Sequence, residues 1–285
     1  MAMVINFFRN RNLERFDYAD LFLHFEELPN CLVTSDDEQV MMLYHDELFN
    51  LKYPFYITKR SRVSNIYSIS AQYVNIRFLV EIPEILPEPV SRQVLSVIDN
   101  LCQKFQFDIY YDGAQDAEKF DMIKMMKVYN DNRNRYIENN PDCEYYTLPS
   151  DVITHMCNYQ QLIPFLKERI KEDVDMAEYV MLVKEFDKKC YLAVDWTAGE
   201  TMVFPPHLDF IRINEFGEKF LVPANMFFKY AERFMYELKN YMPDKSLLML
   251  NHKGIKKVSK RIKKFKKFIV EYNYNEISIT QLIEN

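Results

Sequence analysis

The stretch EQVMMLYHDELFNLKYPFY, residues 38–56, contains two apolar runs on either side of the polar residues His45, Asp46 and Glu47. Apolar, β-branched and aromatic residues flanking a short polar segment are typical of a β-hairpin. The stretch EYVMLVKEFDKKCYLAVDW, residues 178–196, has the same arrangement. The sequence therefore predicts two hairpins, one in each half of the chain.

The two halves resemble each other beyond these hairpins. YVNIRF at 73–78 and LDFIRI at 208–213 lie 135 residues apart, and a predicted helix follows each, at 90–105 and at 225–241. An apolar strand then closes each half, and matching segments stay 135–140 residues apart. The pattern predicts an α+β protein of two similar β-rich subdomains, each of approximate order β-β-β-α-β, produced by an internal duplication. Few residues are identical, so chance similarity between two ordinary α+β segments is the alternative explanation.

Changes in composition mark the expected domain boundaries. Residues 1–137 are predicted to form an N-terminal α+β subdomain with a trailing helix, and an Asn- and Asp-rich connector follows at 138–150. The C-terminal α+β subdomain is predicted at 151–252. The remaining residues, 253–285, are predicted to form a basic amphipathic helix and an acidic tail.

The composition predicts a folded protein in a reducing compartment. Hydrophobic residues make up 48% of the 285 residues, yet no apolar run approaches the ~18 residues that a membrane span needs. The apolar stretch VINFF at 4–8 is too short for a secretory signal peptide. The cysteines are dispersed and odd in number, which favours free thiols over a disulfide framework. We therefore expect a cytoplasmic protein and do not favour a membrane as its partner. The five cysteines are Cys31, Cys102, Cys143, Cys157 and Cys190.

The scarcity of glycine argues against nucleotide-binding loops. Only four glycines occur, and no two of them lie within fifteen residues of each other. P-loops and GxGxxG turns need clustered glycines so that the backbone can approach a phosphate. The histidines show no metal-ligand spacing such as HxxxH, and the GxSxG nucleophile motif is absent. We expect no cofactor, no metal site and no catalytic residues that the sequence can identify. Enzyme activity is not favoured, although a convergent catalytic site would leave no local trace.

The segment KGIKKVSKRIKKFKK, residues 253–267, contains nine Lys or Arg and no Asp or Glu, whereas the whole chain carries a net charge of −6. Apolar residues recur within and just after it at intervals of three and four, which places them on one face of an amphipathic helix: Ile255, Val258, Ile262, Phe265 and Ile269. The basic residues occupy the flanks and the opposite face. The candidate partner- or phosphate-binding residues are Lys253, Lys256, Lys257, Lys260, Arg261, Lys263, Lys264 and Lys267.

Three interpretations of this basic segment stay open. In the first, the apolar face docks on the protein and the lysines form a solvated surface whose stems cover apolar groups. In the second, the lysines contact nucleic-acid phosphates without reading sequence. In the third, the helix lies on an anionic membrane, which its short stripe without Trp disfavours.

The expected function is therefore binding, with no cofactor. The first hypothesis is a non-catalytic cytoplasmic protein that binds another, unidentified protein as a regulator, adaptor or immunity-type protein. The alternative is a nucleic-acid-associated protein that binds the phosphate backbone through residues 253–267. Trp196, the only tryptophan, is a candidate interface anchor because aromatic residues are enriched at interfaces, although such a residue more often fills the core. The oligomeric state is left open.

Overall fold

The computed structural model describes residues 2–170, 173–185, 189–271 and 273–285. The chain divides into two compact units, Met1–Cys143 and Glu144–Asn285. Both units contain helices and strands, which confirms the prediction of an α+β protein. The division between the units falls within the segment that the sequence assigns to a connector, residues 138–150. All five cysteines are free, and three of them are buried.

The first unit is built on one antiparallel sheet. Its six strands lie in the order β2-β3-β4-β5-β1-β6, and every neighbouring pair is antiparallel. The predicted hairpin at 38–56 is confirmed as β3 and β4. The elements are β1 Met3–Asn10, α1 Tyr18–Glu26, β2 Cys31–Ser35, β3 Gln39–Asp46, β4 Leu51–Thr58, β5 Tyr73–Ile82, α2 Glu88–Phe105, β6 Asp108–Tyr111 and α3 Met122–Asn139.

Helix α2 shows how local sequence shapes this unit. It begins directly after Pro87 and ends where Gln106 adopts a left-handed conformation, with φ 55°, a common way for a helix to stop. Its buried apolar residues recur at helical spacing and cover one face: Val90, Val94, Leu95, Ile98 and Leu101. The helix predicted at 90–105 is confirmed.

The second unit contains three sheets. Their strand orders are β13-β12-β10-β9-β16, β14-β15-β11-β8 and β17-β7. The elements are β7 Tyr146–Leu148, α4 Ser150–Arg169, β8 Asp175–Met176, β9 Tyr179–Lys184, β10 Cys190–Thr197, β11 Met202–Phe204, β12 Phe210–Glu215, β13 Glu218–Pro223, α5 Ala224–Ala231, β14 Tyr236–Met242, β15 Lys245–Leu250, α6 His252–Ser259, α7 Ile262–Phe265, β16 Tyr274–Glu276 and β17 Leu282–Glu284.

The second predicted hairpin is present as strands. Strands β9 and β10 pair in antiparallel fashion, with Cys190 opposite Val183. Residues 186–188, which belong to its predicted polar turn, lie outside the described residues. The strand expected at 208–213 is also present, as β12, and it pairs with β10.

The helix predicted at 225–241 is wrong beyond Ala231. Helix α5 ends there, residues 232–234 form a 3₁₀ turn, and residues 236–242 form strand β14. Strand β14 pairs antiparallel with β15 through a turn in which Asp244 has φ 56°. Pairing with β15 overrides the local helical pattern, because a segment's own propensity is weak compared with tertiary contacts.

The sheets of the two units do not share one topology. In the first unit β4 and β5 are antiparallel neighbours, whereas their counterparts by sequence offset, β10 and β12, are parallel neighbours. Strand β11, which lies between β10 and β12 in the chain, joins a different sheet. An internal duplication stays a hypothesis that the strand directions do not support.

Candidate anion-binding surface

The basic segment begins with a capped helix. The side chain of Asn251 accepts hydrogen bonds from the backbone N–H groups of Lys253, at 3.0 Å, and Gly254, at 3.3 Å. An Asn at this position satisfies N–H groups that have no partner within the helix. Asn251, the residue directly before α6, therefore defines where this helix begins.

The segment is not one continuous helix, which corrects the prediction. Helix α6 ends at Ser259, α7 covers only Ile262–Phe265, and residues 266–268 form a 3₁₀ turn. The break occurs where the N–H of Arg261 donates to the carbonyl of Val258, three residues back, at 2.8 Å. Such a three-residue hydrogen bond is the tighter turn that commonly ends an α-helix.

The apolar face of the segment is buried in the core of the second unit. Ile255, Val258, Ile262 and Phe265 belong to one cluster of buried residues with Phe227 of α5. The rings of Phe227 and Phe265 lie 5.0 Å apart. Each such side chain contributes about 1.5–3 kcal/mol when fully buried, so the segment is held firmly on the unit. The fifth residue of the predicted stripe, Ile269, is exposed instead.

Gly254 brings α6 unusually close to the turn at 232–234. A Cβ atom at this position would lie 2.1 Å from the carbonyl oxygen of Phe234. No side chain fits in that distance, so the close approach requires glycine. The approach places the residues that follow Gly254 on α6 beside Phe234.

The basic side chains point away from this core. All seven candidate lysines are exposed, and Arg261 is half-buried. We call these eight side chains the basic surface. Within the part of the chain that the structure describes, none of the eight forms an ion pair with an acidic residue. The basic surface therefore carries uncompensated positive charge.

Lys266 is the basic residue of the segment that does have acidic partners. Its Nζ atom lies 2.7 Å from Oε2 of Glu215 and 3.6 Å from Oε2 of Glu218. The hydrogen bond to Glu215 raises the pKa of Lys266. Lys266 consequently belongs to the ion pairs of the β12–β13 hairpin rather than to the basic surface.

Aromatic rings order part of the basic surface. Three cations lie close to the half-buried ring of Phe234: Cζ of Arg233 lies 4.8 Å, Nζ of Lys257 5.5 Å and Cζ of Arg261 4.7 Å from its centroid. We call these four residues the Phe234 cluster. Attraction between a cation and the ring face holds such side chains in place.

Sequence reasoning missed the contribution of α5 and the turn that follows it. Arg233 lies twenty residues before the basic segment, within the segment predicted as a helix. A charge count over a wider window would have signalled it: residues 224–268 hold 13 Lys or Arg and three Asp or Glu, a net charge of +10. The position of Arg233 beside Phe234 comes only from the fold.

Trp196 lies in the core, which corrects its prediction as an interface anchor. Its side chain is 0% exposed, and its ring centroid is 5.4 Å from that of Phe227. The indole N–H donates to the carbonyl of Glu200 at 2.9 Å. Strand β10 lies between β9 and β12, and an inward-facing Trp on an interior strand is removed from any partner's reach.

The structure also brings together two histidines that are distant in sequence. Nε2 of His207 lies 3.2 Å from Nδ1 of His155. Burial, followed by the nearby charges of Lys245 and His155, lowers the pKa of His207. Among the described residues, no group of three or more His, Cys, Asp or Glu side chains is arranged to hold a metal ion.

Comparison with known proteins assigns no role to the basic surface. Among the helices that the structure describes, none is long and apolar enough to cross a membrane. The chain matches no protein-family model, no curated protein and no solved structure.

Proposed function

We propose that this protein binds the phosphate backbone of nucleic acid through the basic surface. The observation that carries the proposal is the exposure of seven lysines that have no acidic partner among the described residues, on a segment whose apolar face is buried. Cations that neutralise phosphates release condensed counterions, and this release supplies a large sequence-independent part of the affinity. The reaction to expect is reversible binding, with no chemistry performed on the nucleic acid.

The character of the surface supports a phosphate backbone over a protein partner. A protein interface depends on a few buried aromatic or apolar anchors. Ile255, Val258, Ile262 and Phe265 are all buried in the core, and so is Trp196. The residues left on the surface of α6 and α7 are chiefly lysines, which are depleted at protein interfaces.

Binding of an acidic protein surface is the second candidate, and one observation favours it. Phe216, in the turn between β12 and β13, is completely exposed. Lys266 from the basic segment pairs with Glu215 and Glu218 on either side of that turn. An exposed aromatic side chain near a basic segment would suit a partner with an apolar pocket and an acidic rim, as expected of a regulator, adaptor or immunity-type protein.

The test is fluorescence anisotropy with labelled random-sequence DNA and RNA oligonucleotides at low salt. One variant carries Lys256, Lys260, Lys263 and Lys267 changed to Glu. Its matched control carries the same change at four exposed lysines elsewhere: Lys52, Lys59, Lys127 and Lys167. We expect the wild type and the control variant to bind and the basic-surface variant not to bind, while circular dichroism shows that all three are folded.

Two outcomes would contradict the proposal. If the wild type does not bind either oligonucleotide at low salt, the acidic-protein candidate takes first place. If both variants lose binding equally, the effect comes from overall charge and the basic surface has no special role.

A further inference from the structure

We infer that the Phe234 cluster is the principal phosphate-binding position of the basic surface and holds one phosphate group of the backbone. The inference rests on the proposed function, because it names the place where the strongest contact is made. It goes beyond that function by assigning the strongest contact to three cations: Arg233, Lys257 and Arg261. Arg233 lies outside the basic segment.

The cluster concentrates positive charge around one ring. All three cationic groups lie within 5.5 Å of the Phe234 centroid. In the described residues no acidic side chain pairs with any of them, and this includes the neighbouring Glu232. Three cations held against one ring repel each other, so an anion that contacts all three would be attracted by each of them.

Guanidinium groups give the cluster a preference for phosphate. The planar fork of Arg donates two parallel hydrogen bonds to a phosphate, whereas Lys acts as a point charge. Nε of Arg261 is buried and has no hydrogen-bond acceptor among the residues described. Cζ of Arg261 lies 4.7 Å from the Phe234 centroid, so the ring helps to hold this guanidinium in place. Its Nη atoms form no hydrogen bond among the described residues and can donate to a ligand.

Backbone packing positions the side chains of the Phe234 cluster in the absence of a ligand. Gly254 allows α6 to lie against the carbonyl of Phe234. Lys257 follows it by three residues on the same helix, and this spacing keeps the two positions on one side of α6. Arg261 lies in the break between α6 and α7. A site whose side chains are already positioned loses less entropy on binding than a set of free lysines does.

The experiment compares single substitutions that each remove one charge. The cluster variants are Arg233→Gln, Lys257→Gln and Arg261→Gln, and the control variants are Lys253→Gln, Lys256→Gln and Lys263→Gln from the same segment. Dissociation constants are measured with one labelled random-sequence DNA oligonucleotide at low salt. We expect each cluster variant to weaken binding about tenfold or more, as for a lost hydrogen bond to a charged group. Each control variant should weaken it less than about fivefold, as for an exposed ion pair.

A charge-preserving variant separates geometry from charge. Arg261→Lys retains the positive charge and removes the planar fork, so we expect its affinity to fall between those of the wild type and Arg261→Gln. Inorganic pyrophosphate should compete with the oligonucleotide for the wild type more effectively than for Arg261→Gln.

The outcomes distinguish this inference from the proposed function. If cluster and control variants lose affinity equally, or if Arg261→Lys binds as the wild type does, the cluster is not a distinct site although nucleic-acid binding stands. If the wild type does not bind the oligonucleotide at all, the proposed function fails and the inference fails with it. Thermal unfolding of each variant identifies any loss that comes from misfolding, and the Arg261→Lys comparison then decides.

Discussion

Salt provides the most direct quantitative test of the basic surface. The perturbation is an increase in ionic strength, applied to the wild type and to the double variant Lys260→Gln, Lys263→Gln. Both lysines are exposed and unpaired in the part of the chain that the structure describes, so their loss leaves the core of the second unit intact. The predicted quantity is the slope of log affinity against log salt concentration.

The magnitude follows from the number of contacts. A backbone that meets about five of the eight side chains of the basic surface gives a slope of about −4.5, since each contact contributes about −0.9 for duplex DNA. Raising the salt from about 50 to about 200 mM then lowers the affinity about 500-fold. With Lys260 and Lys263 counted among those five contacts, the double variant keeps about three, so its slope is about −2.7 and its affinity falls only about 40-fold over the same range.

Anisotropy titrations of labelled duplex DNA at four salt concentrations give both slopes. The ratio of the two slopes does not depend on how many molecules are active in the preparation, which makes it a better measure than a single affinity. A wild-type slope near zero would refute the counterion argument. An unchanged slope in the double variant would show that neither Lys260 nor Lys263 contacts a phosphate.

Three further predictions concern the groups that build the surface. Gly254→Ala should destabilise the second unit by on the order of 1–3 kcal/mol in urea unfolding, because the new Cβ meets the Phe234 carbonyl. The control Lys256→Ala, on the same helix, should change the free energy of unfolding by less than about 0.5 kcal/mol. A Gly254→Ala protein more stable than the wild type would contradict the close approach. Phe265→Ala should lower the free energy of unfolding by about 3–5 kcal/mol, and Phe265→Leu should lower it less, since this side chain is fully buried against Phe227. Equal urea-unfolding midpoints for the wild type and Phe265→Ala would show that the segment is not docked. Burial, together with Lys245 and His155, lowers the pKa of His207 below its ordinary 6.5, while Asp151 and Asp209 oppose the shift. The unfolded chain therefore binds a proton at His207 more readily than the folded protein does. The free energy of unfolding should consequently fall as the pH drops below 6.5. His207→Asn, which tolerates the left-handed conformation at φ 58°, should reduce that dependence in urea unfolding, and an unchanged pH profile would exclude His207 as its source.

Local pattern was sufficient where an element is defined by neighbours in the chain. The hairpin at 38–56, the helix beginning after Pro87 and the shared face of Ile255, Val258, Ile262 and Phe265 all follow from the spacing of apolar residues. These side chains share a face whatever surrounds them, because strand and helix periodicity is a property of the backbone. The position of the lysines on the other face follows from the same spacing, whereas docking of the apolar face was decided by the fold.

Tertiary structure decided the features that depend on distant partners. Residues 236–242 became a strand because β15 was available to pair with them, and Trp196 entered the core because β10 is an interior strand. The Phe234 cluster joins Arg233 to residues on α6 and the turn that follows it, and a glycine that fits against one carbonyl oxygen sets their separation. Hydrogen bonds between strands and contacts between side chains far apart in the chain determine such arrangements. The spacing of residues within one segment cannot predict them, because it does not show which distant segment will pack against it.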